Sequence, residues 1–96
     1  MRLNEKTTTY CRVLACELRH RRETAGLSMN QLAEGAGLSQ PMIGFIEKGT
    51  CVPTAASLFR IASVLGCSLA EIFGAVEKEI ASNKKIATTG MHTKRR

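Results

Sequence analysis

Residues 28–49 read SMNQLAEGAGLSQPMIGFIEKG, and this stretch decides the fold. Ser28 stands three residues before Gln31, the spacing of a capping box in which each side chain satisfies a first-turn backbone donor of the other residue. The run from Met29 to Ala36 places Leu32, Ala33 and Ala36 on one face and stops at Gly37. Ser39 caps the next helix, which tolerates Pro41 because first-turn amides need no intrahelical acceptor. Ile43 and Ile46 face inward there, and Gly49 ends the helix after Lys48. Residues 37–39 alone join the two helices, and small or branched apolar side chains hold them at a steep angle. Ala33 marks their closest approach, and Gly37 supplies a left-handed backbone position.

The same reading extends in both directions. Upstream, Tyr10, Leu14, Ala15 and Leu18 recur at helical spacing among Arg12, Arg19, Arg22 and Glu23, which predicts an amphipathic helix from Tyr10 to Ala25, stopped by Gly26. Residues 1–9 lack periodicity and read as a flexible N-terminal arm. Downstream, Thr54 caps a fourth helix that buries Leu58, Ile61, Ala62 and Leu65 before Gly66. Ser68 and Glu71 open a fifth, which Val76 to Ala81 prolong. In this last helix Leu69, Ile72, Phe73, Val76 and Ile80 form a stripe longer than a core-capping helix needs. Leu69 and Phe73 are expected to face inward, leaving Ile72, Val76 and Ile80 to meet a second subunit. The expected architecture is an all-α, compact five-helix domain over residues 10–81, followed by a basic, disordered tail over 82–96.

Composition narrows the function classes. A chain of 96 residues has room for one domain, with a core built from Leu, Ile, Val and Ala because it holds no Trp, one Tyr and three Phe. No run approaches the length needed to span a bilayer and no secretory segment is recognised, so the reading is a cytoplasmic protein without a membrane partner. Net charge is +6, split as +3 over residues 1–27, −1 over 28–73 and +4 over 74–96. Positive ends suit a polyanion, and Lys84, Lys85, Lys94, Arg95 and Arg96 would raise non-specific affinity for one. Cys11, Cys16, Cys51 and Cys67 lack CxxC spacing and stand apart from His20 and His92, which argues against a metal site. They read as reduced, buried small hydrophobes. No Ser/His/acid or paired-carboxylate constellation appears, so neither an enzyme nor a cofactor is expected.

The ladder Gly26-Leu27-Ser28, Gln31-Leu32-Ala33, Ala36-Gly37-Leu38-Ser39, Ile43, Ile46-Glu47-Lys48-Gly49, Pro53-Thr54, Leu58, Ile61-Ala62, Leu65-Gly66 and Ser68-Leu69 with Ile72-Phe73 resembles the lambda-repressor-like, Cro/C1-type (XRE) helix-turn-helix family. The resemblance covers residues 10–73. It implies a five-helix DNA-binding fold that works as a homodimer on a partly palindromic operator and reads bases with the helix Ser39–Glu47. It places Gln40, Pro41, Met42, Gly44 and Phe45 at the groove-facing surface, and it puts a buried ion pair between helices one and three on Arg22 and Glu47. The chain departs from the pattern at Met29, where Gln is usual, at Gly44, commonly Ser, and at Phe45, often long and polar.

The chemistry of these side chains gives each a role. The Gln40 amide can bond adenine N6 and N7 together. Phe45 either packs on a thymine methyl or folds back as core against the Thr50–Val52 loop, and Met42 either touches a methyl or fills space beside Ile46. Phosphate contacts fall to Ser28, Met29 and Asn30 at a helix N-terminus, to Ser39, and to Lys48 and Thr50 beyond the recognition helix. The expected function is a sequence-specific, double-stranded-DNA-binding transcriptional regulator, a homodimeric repressor. The alternative is a helical adaptor or antitoxin-type module whose main partner is another protein, favoured by the near-neutral middle and the Met42–Phe45 surface.

Overall fold

The computed structural model describes residues 4–92, with side chains described through Ser82. The chain forms α1 (Glu5–Thr24), α2 (Met29–Ala36), α3 (Gln40–Lys48), α4 (Ala55–Leu65) and α5 (Leu69–His92), and no strand occurs among the described residues. Local chemistry sets the boundaries. Ser28, Ser39 and Thr54 each accept a hydrogen bond from the third backbone amide of the helix they precede. Ser68 and Glu71 close a reciprocal capping box at 2.8 and 3.0 Å.

α1 begins five residues earlier than Tyr10, so residues 5–9 belong to a helix and not to an arm. Asn4 Oδ1 accepts from Thr7 N at 2.8 Å, and Glu5 favours the positive end of the helix dipole. The apolar pattern begins only at Tyr10, and this hid the first turn. α5 likewise continues past Ser82, where the sequence suggested fraying, to His92. The side chains of the basic tail, Lys84 to Arg96, lie outside the described residues.

All five helices feed one core. Leu18, Leu32, Ile43, Ile61, Ile72 and Val76 are its largest fully buried side chains, joined by Ala33 and Ala36 at the α2–α3 corner. α1 lies against α5 and α3, while α2 sits between α3 and α4. Tyr10 Oη donates to Glu77 Oε2 at 3.3 Å across the α1–α5 contact.

This packing corrects the assignment of a dimer stripe on α5. Ile72 and Val76 are both 0% exposed within one chain, whereas Leu69, Phe73 and Ile80 are half-buried at the core margin. The i, i+4 row that turns inward is therefore Ile72–Val76, because α1 runs alongside α5 and claims that face. The cysteines need a smaller correction. All four are free thiols, but Cys16 is exposed and the other three are only half-buried. No single helix among the described residues is long and apolar enough to cross a membrane.

Candidate nucleic-acid interface

α3 is mounted with two residues in the core and most of the remainder on the surface. Ile43 and Ile46 are 1% and 2% exposed, and they anchor the helix against α1 and α2. The corner that presents it is a glycine-terminated turn. Gly37 has φ +70°, and Leu38 N donates to Ala33 O at 2.8 Å, satisfying carbonyls that would otherwise end α2 unpaired.

Arg22 locks this corner from the side. Its Nε and Nη2 meet Glu47 Oε2 and Oε1 at 2.7 and 3.0 Å, and its Nη1 donates to Leu27 O at 2.7 Å. One guanidinium thus ties the end of α1, the α1–α2 loop and the last turn of α3. The two side chains are 11% and 7% exposed, so little water screens the pair. Hydrogen bonding to Glu47 raises the Arg22 pKa above its ordinary value despite the opposing cost of burial. The resemblance implied the Arg22–Glu47 pair. The Leu27 carbonyl could not be foreseen, because a backbone acceptor leaves no mark on sequence.

Beside this clamp lies an open groove of about 540 Å³, whose lining includes Arg19, Met29, Gln40, Gly44, Phe45 and Lys48. Gln40, Pro41, Met42, Phe45 and Lys48 are exposed and Gly44 is half-exposed, so the five candidate base readers and Lys48 lie on the accessible side of α3. Phe45 is 49% exposed, which removes it from the core. Met42 is 37% exposed, and its sulfur rests 3.7 Å from the Cys51 thiol in the α3–α4 loop. Two of the family departures lie near one another: a Cβ built on Gly44 would stand 4.0 Å from Met29 Sδ, an ordinary contact distance, so a small side chain would also fit at position 44.

Residues 18–72 match the helix-turn-helix family HTH_3. The chain belongs to that family. Over 54 residues, this helix-turn-helix chain is 41% identical to the HTH-type transcriptional regulator SutR of Escherichia coli, covering 56% of the chain and 30% of the relative. Over 51 residues it is 45% identical to the uncharacterized HTH-type transcriptional regulator Rv0474 of Mycobacterium tuberculosis, covering 53% and 36%. The chain spans about a third of the length of these curated relatives. Among solved structures, an HTH_3 family transcriptional regulator from Vibrio cholerae aligns with a TM-score of 0.66 at 35% identity, covering 71% of this chain and 38% of that one. The clp gene regulator ClgR from Corynebacterium glutamicum shares the fold, with a TM-score of 0.68 at 23% identity over 72% and 88% of the two chains.

Within the helix-turn-helix domain, hydrogen-bond accounting separates the residues able to hold an anion from those already engaged. The Met29 and Asn30 amides at the start of α2, and the Gln40 amide at the start of α3, have no acceptor among the described residues. Ser28 and Ser39 accept through their hydroxyl oxygens and keep a hydroxyl proton to donate. Lys48 is exposed with no ion-pair partner among the described residues, whereas Arg19 is held by Glu23 at 3.1 Å. Thr50 differs. Both its amide and its hydroxyl donate to Phe45 O, at 3.0 and 3.1 Å, so it closes α3 and has no donor left for a phosphate. Sequence could not show this, because an exposed Thr after a helix reads the same in either role.

Proposed function

We propose that this helix-turn-helix domain binds double-stranded DNA by laying α3 in the major groove, and that the protein regulates transcription. The observation that carries this reading is the division of α3 itself. Ile43, Ile46 and the clamped Glu47 fix the helix, while Gln40, Pro41, Met42 and Phe45 are exposed on its outer side. A groove about 12 Å wide admits such a helix. Gln40 then offers an amide to adenine, Met42 and Phe45 offer apolar surface to thymine methyls, and Pro41 and Gly44 allow close approach to the bases. The amides of Met29 and Asn30, the hydroxyls of Ser28 and Ser39, and Lys48 flank this face and take backbone phosphates.

Titration of random duplex DNA at two salt concentrations tests the reading. Affinity is expected to fall steeply with salt, and Lys48→Ala is expected to reduce the salt slope by about one unit without changing sequence preference. Binding that is absent or indifferent to salt would overturn it and favour a protein ligand for the Met42–Phe45 surface. Selection from a random duplex library then reveals whether the preferred site has two-fold symmetry, as two cooperating copies require.

A further inference from the structure

Two sulfurs meet on the flank of α3. Cys51 Sγ lies 3.7 Å from Met42 Sδ, although the two residues are nine apart in the chain. Gly49 makes this possible. Its φ of +81° turns the chain back, and Thr50 N and Oγ1 then donate to Phe45 O at 3.0 and 3.1 Å. The next residue, Cys51, is thereby set beside the outer side of α3. A third sulfur approaches from α1. Cys11 stands one helical turn before Ala15, whose Cβ is 3.9 Å from the place a Cβ on Gly49 would take. Cys11 and Cys51 line one cavity of about 10 Å³, and the other side chains around it, Ile46 and Val52 among them, are apolar. We propose that Cys51, Met42 and Cys11 bind a soft monovalent metal ion, Cu(I), where α1, α3 and the α3–α4 loop meet.

The donor set selects the ion. Thiolate and thioether sulfurs favour Cu(I), whereas calcium and magnesium want oxygen and structural zinc wants a closed shell of nitrogen or sulfur. No group of three His, Cys, Asp or Glu suited to a metal occurs among the described residues, so the Met42 thioether is what completes this set. The lack of CxxC spacing weighs against zinc and not against sulfurs drawn from three separate segments. Distance agrees. With metal–sulfur bonds of about 2.3 Å, two sulfurs 3.7 Å apart subtend roughly 105–110° at the ion. That bent arrangement leaves room for a third sulfur, and Cys11 shares the cavity. A cavity of this size holds about one water, so a bare ion fits and a hydrated divalent ion does not. Cys67 Sγ is turned instead to Ala62 O at 3.9 Å, and Cys16 is exposed on α1, which makes both of them internal controls.

Binding replaces the Cys51 and Cys11 thiol protons with the ion and releases them to solvent. The metal arrives and stays as Cu(I), so no electron moves. The consequence for α3 comes through Met42, which is 37% exposed and belongs to the set assigned to the DNA-facing side. A thioether held by the ion is withdrawn from a thymine methyl, so metal and DNA compete for one side chain. This competition rests on the DNA reading, and the site itself does not.

Anaerobic titration of the full chain with Cu(I) held by bicinchoninate measures the site. One equivalent is expected to transfer to the parent and equally to a Cys16→Ser/Cys67→Ser variant. Cys51→Ser, Cys11→Ser and Met42→Leu are each expected to lose at least the roughly tenfold to hundredfold that removal of an outer-shell partner costs. With methyl-labelled methionine, the ion is expected to shift the Met42 ε-methyl resonance and leave that of Met29 in place, a response that capture by thiols alone does not give. Parent affinity in any of the three single variants, or a Met42 methyl that does not move, overturns the site as drawn. On a selected duplex, one equivalent of Cu(I) is expected to weaken the parent several-fold and to leave Cys51→Ser unaffected. Equal parent affinity with and without the ion overturns the competition. Failure to bind any duplex overturns the DNA reading instead, and the metal titration still decides the site.

Discussion

Replacing Glu47 with Ala removes both acceptors from the Arg22 fork and leaves a guanidinium 11% exposed with the Leu27 carbonyl and, at 4.0 Å, the exposed Glu23 carboxylate. Breaking a buried ion pair by removing one partner costs about 3–5 kcal/mol, and the retained carbonyl bond argues for the lower end, about 3 kcal/mol. That is a large share of the ~5–15 kcal/mol that stabilises a domain of this size. At about 4–8 °C per kcal/mol, the thermal midpoint should fall by roughly 12–24 °C. Circular dichroism melts of the parent, Glu47→Ala and Arg22→Met/Glu47→Leu measure it. The double variant removes both charges and fills the space with apolar volume, so it should recover most of the loss. Arg22→Lys keeps the charge without the fork and should fall between. A Glu47→Ala midpoint within about 3 °C of the parent would refute the assignment of a buried clamp. So would a double variant that loses as much as the two single changes combined.

Three further outcomes follow from particular contacts. A Cβ on Gly35 would meet the Val64 γ-methyls at 3.1 and 3.3 Å, so Gly35→Ala should lower the melting midpoint in the parent. In a Val64→Ala background the same change should raise it, by about 1 kcal/mol of recovered helix propensity, and a gain in the parent would contradict the contact. Val76→Glu buries a charge in a site that is 0% exposed, so it should yield an unfolded chain by circular dichroism and not a folded monomer. Replacing thymine by uracil in a selected duplex removes the methyls, and should weaken the parent by several-fold while leaving a Met42→Ala/Phe45→Ala variant unaffected; equal losses in both would remove these side chains from base reading.

The starts of α2 to α5 and the ends of α2, α3 and α4 were legible because capping is local. Ser28, Ser39, Thr54 and Ser68 announce each start within three residues, and Gly37, Gly49 and Gly66 take the left-handed conformation that ends α2, α3 and α4. The rotation of α5 was not legible. Leu69–Phe73 and Ile72–Val76 are equally good apolar rows, and only the course of α1 decides which one is covered. The site divides in the same way. Exposure of Gln40 follows from the phase set by Ile43 and Ile46, whereas the sequence left Phe45 and Met42 open between the groove and the core, and only the packed structure exposes them. The commitment of Thr50 to the Phe45 carbonyl and the bareness of Phe59 depend on where separate segments meet. The Val64 γ-methyls that face Gly35 likewise leave no mark on the sequence of α2.

The closure of the core by Val76 separates two boundaries that are easily equated. The segment that matches the family spans residues 18–72 and contains α2, α3, α4 and the Arg22 clamp. Leu14, Ala15 and Val76, all buried, lie outside it, as does the Tyr10–Glu77 bond. A fragment cut at the edges of the match would carry every candidate contact residue and yet expose the apolar faces of its own Leu18 and Ile72. The portable unit for fusion, expression or transplantation onto another protein therefore extends on both sides of the family signature, from Asn4 at least through Glu77. What recognises a ligand and what folds as one piece are, in this chain, different lengths of polypeptide.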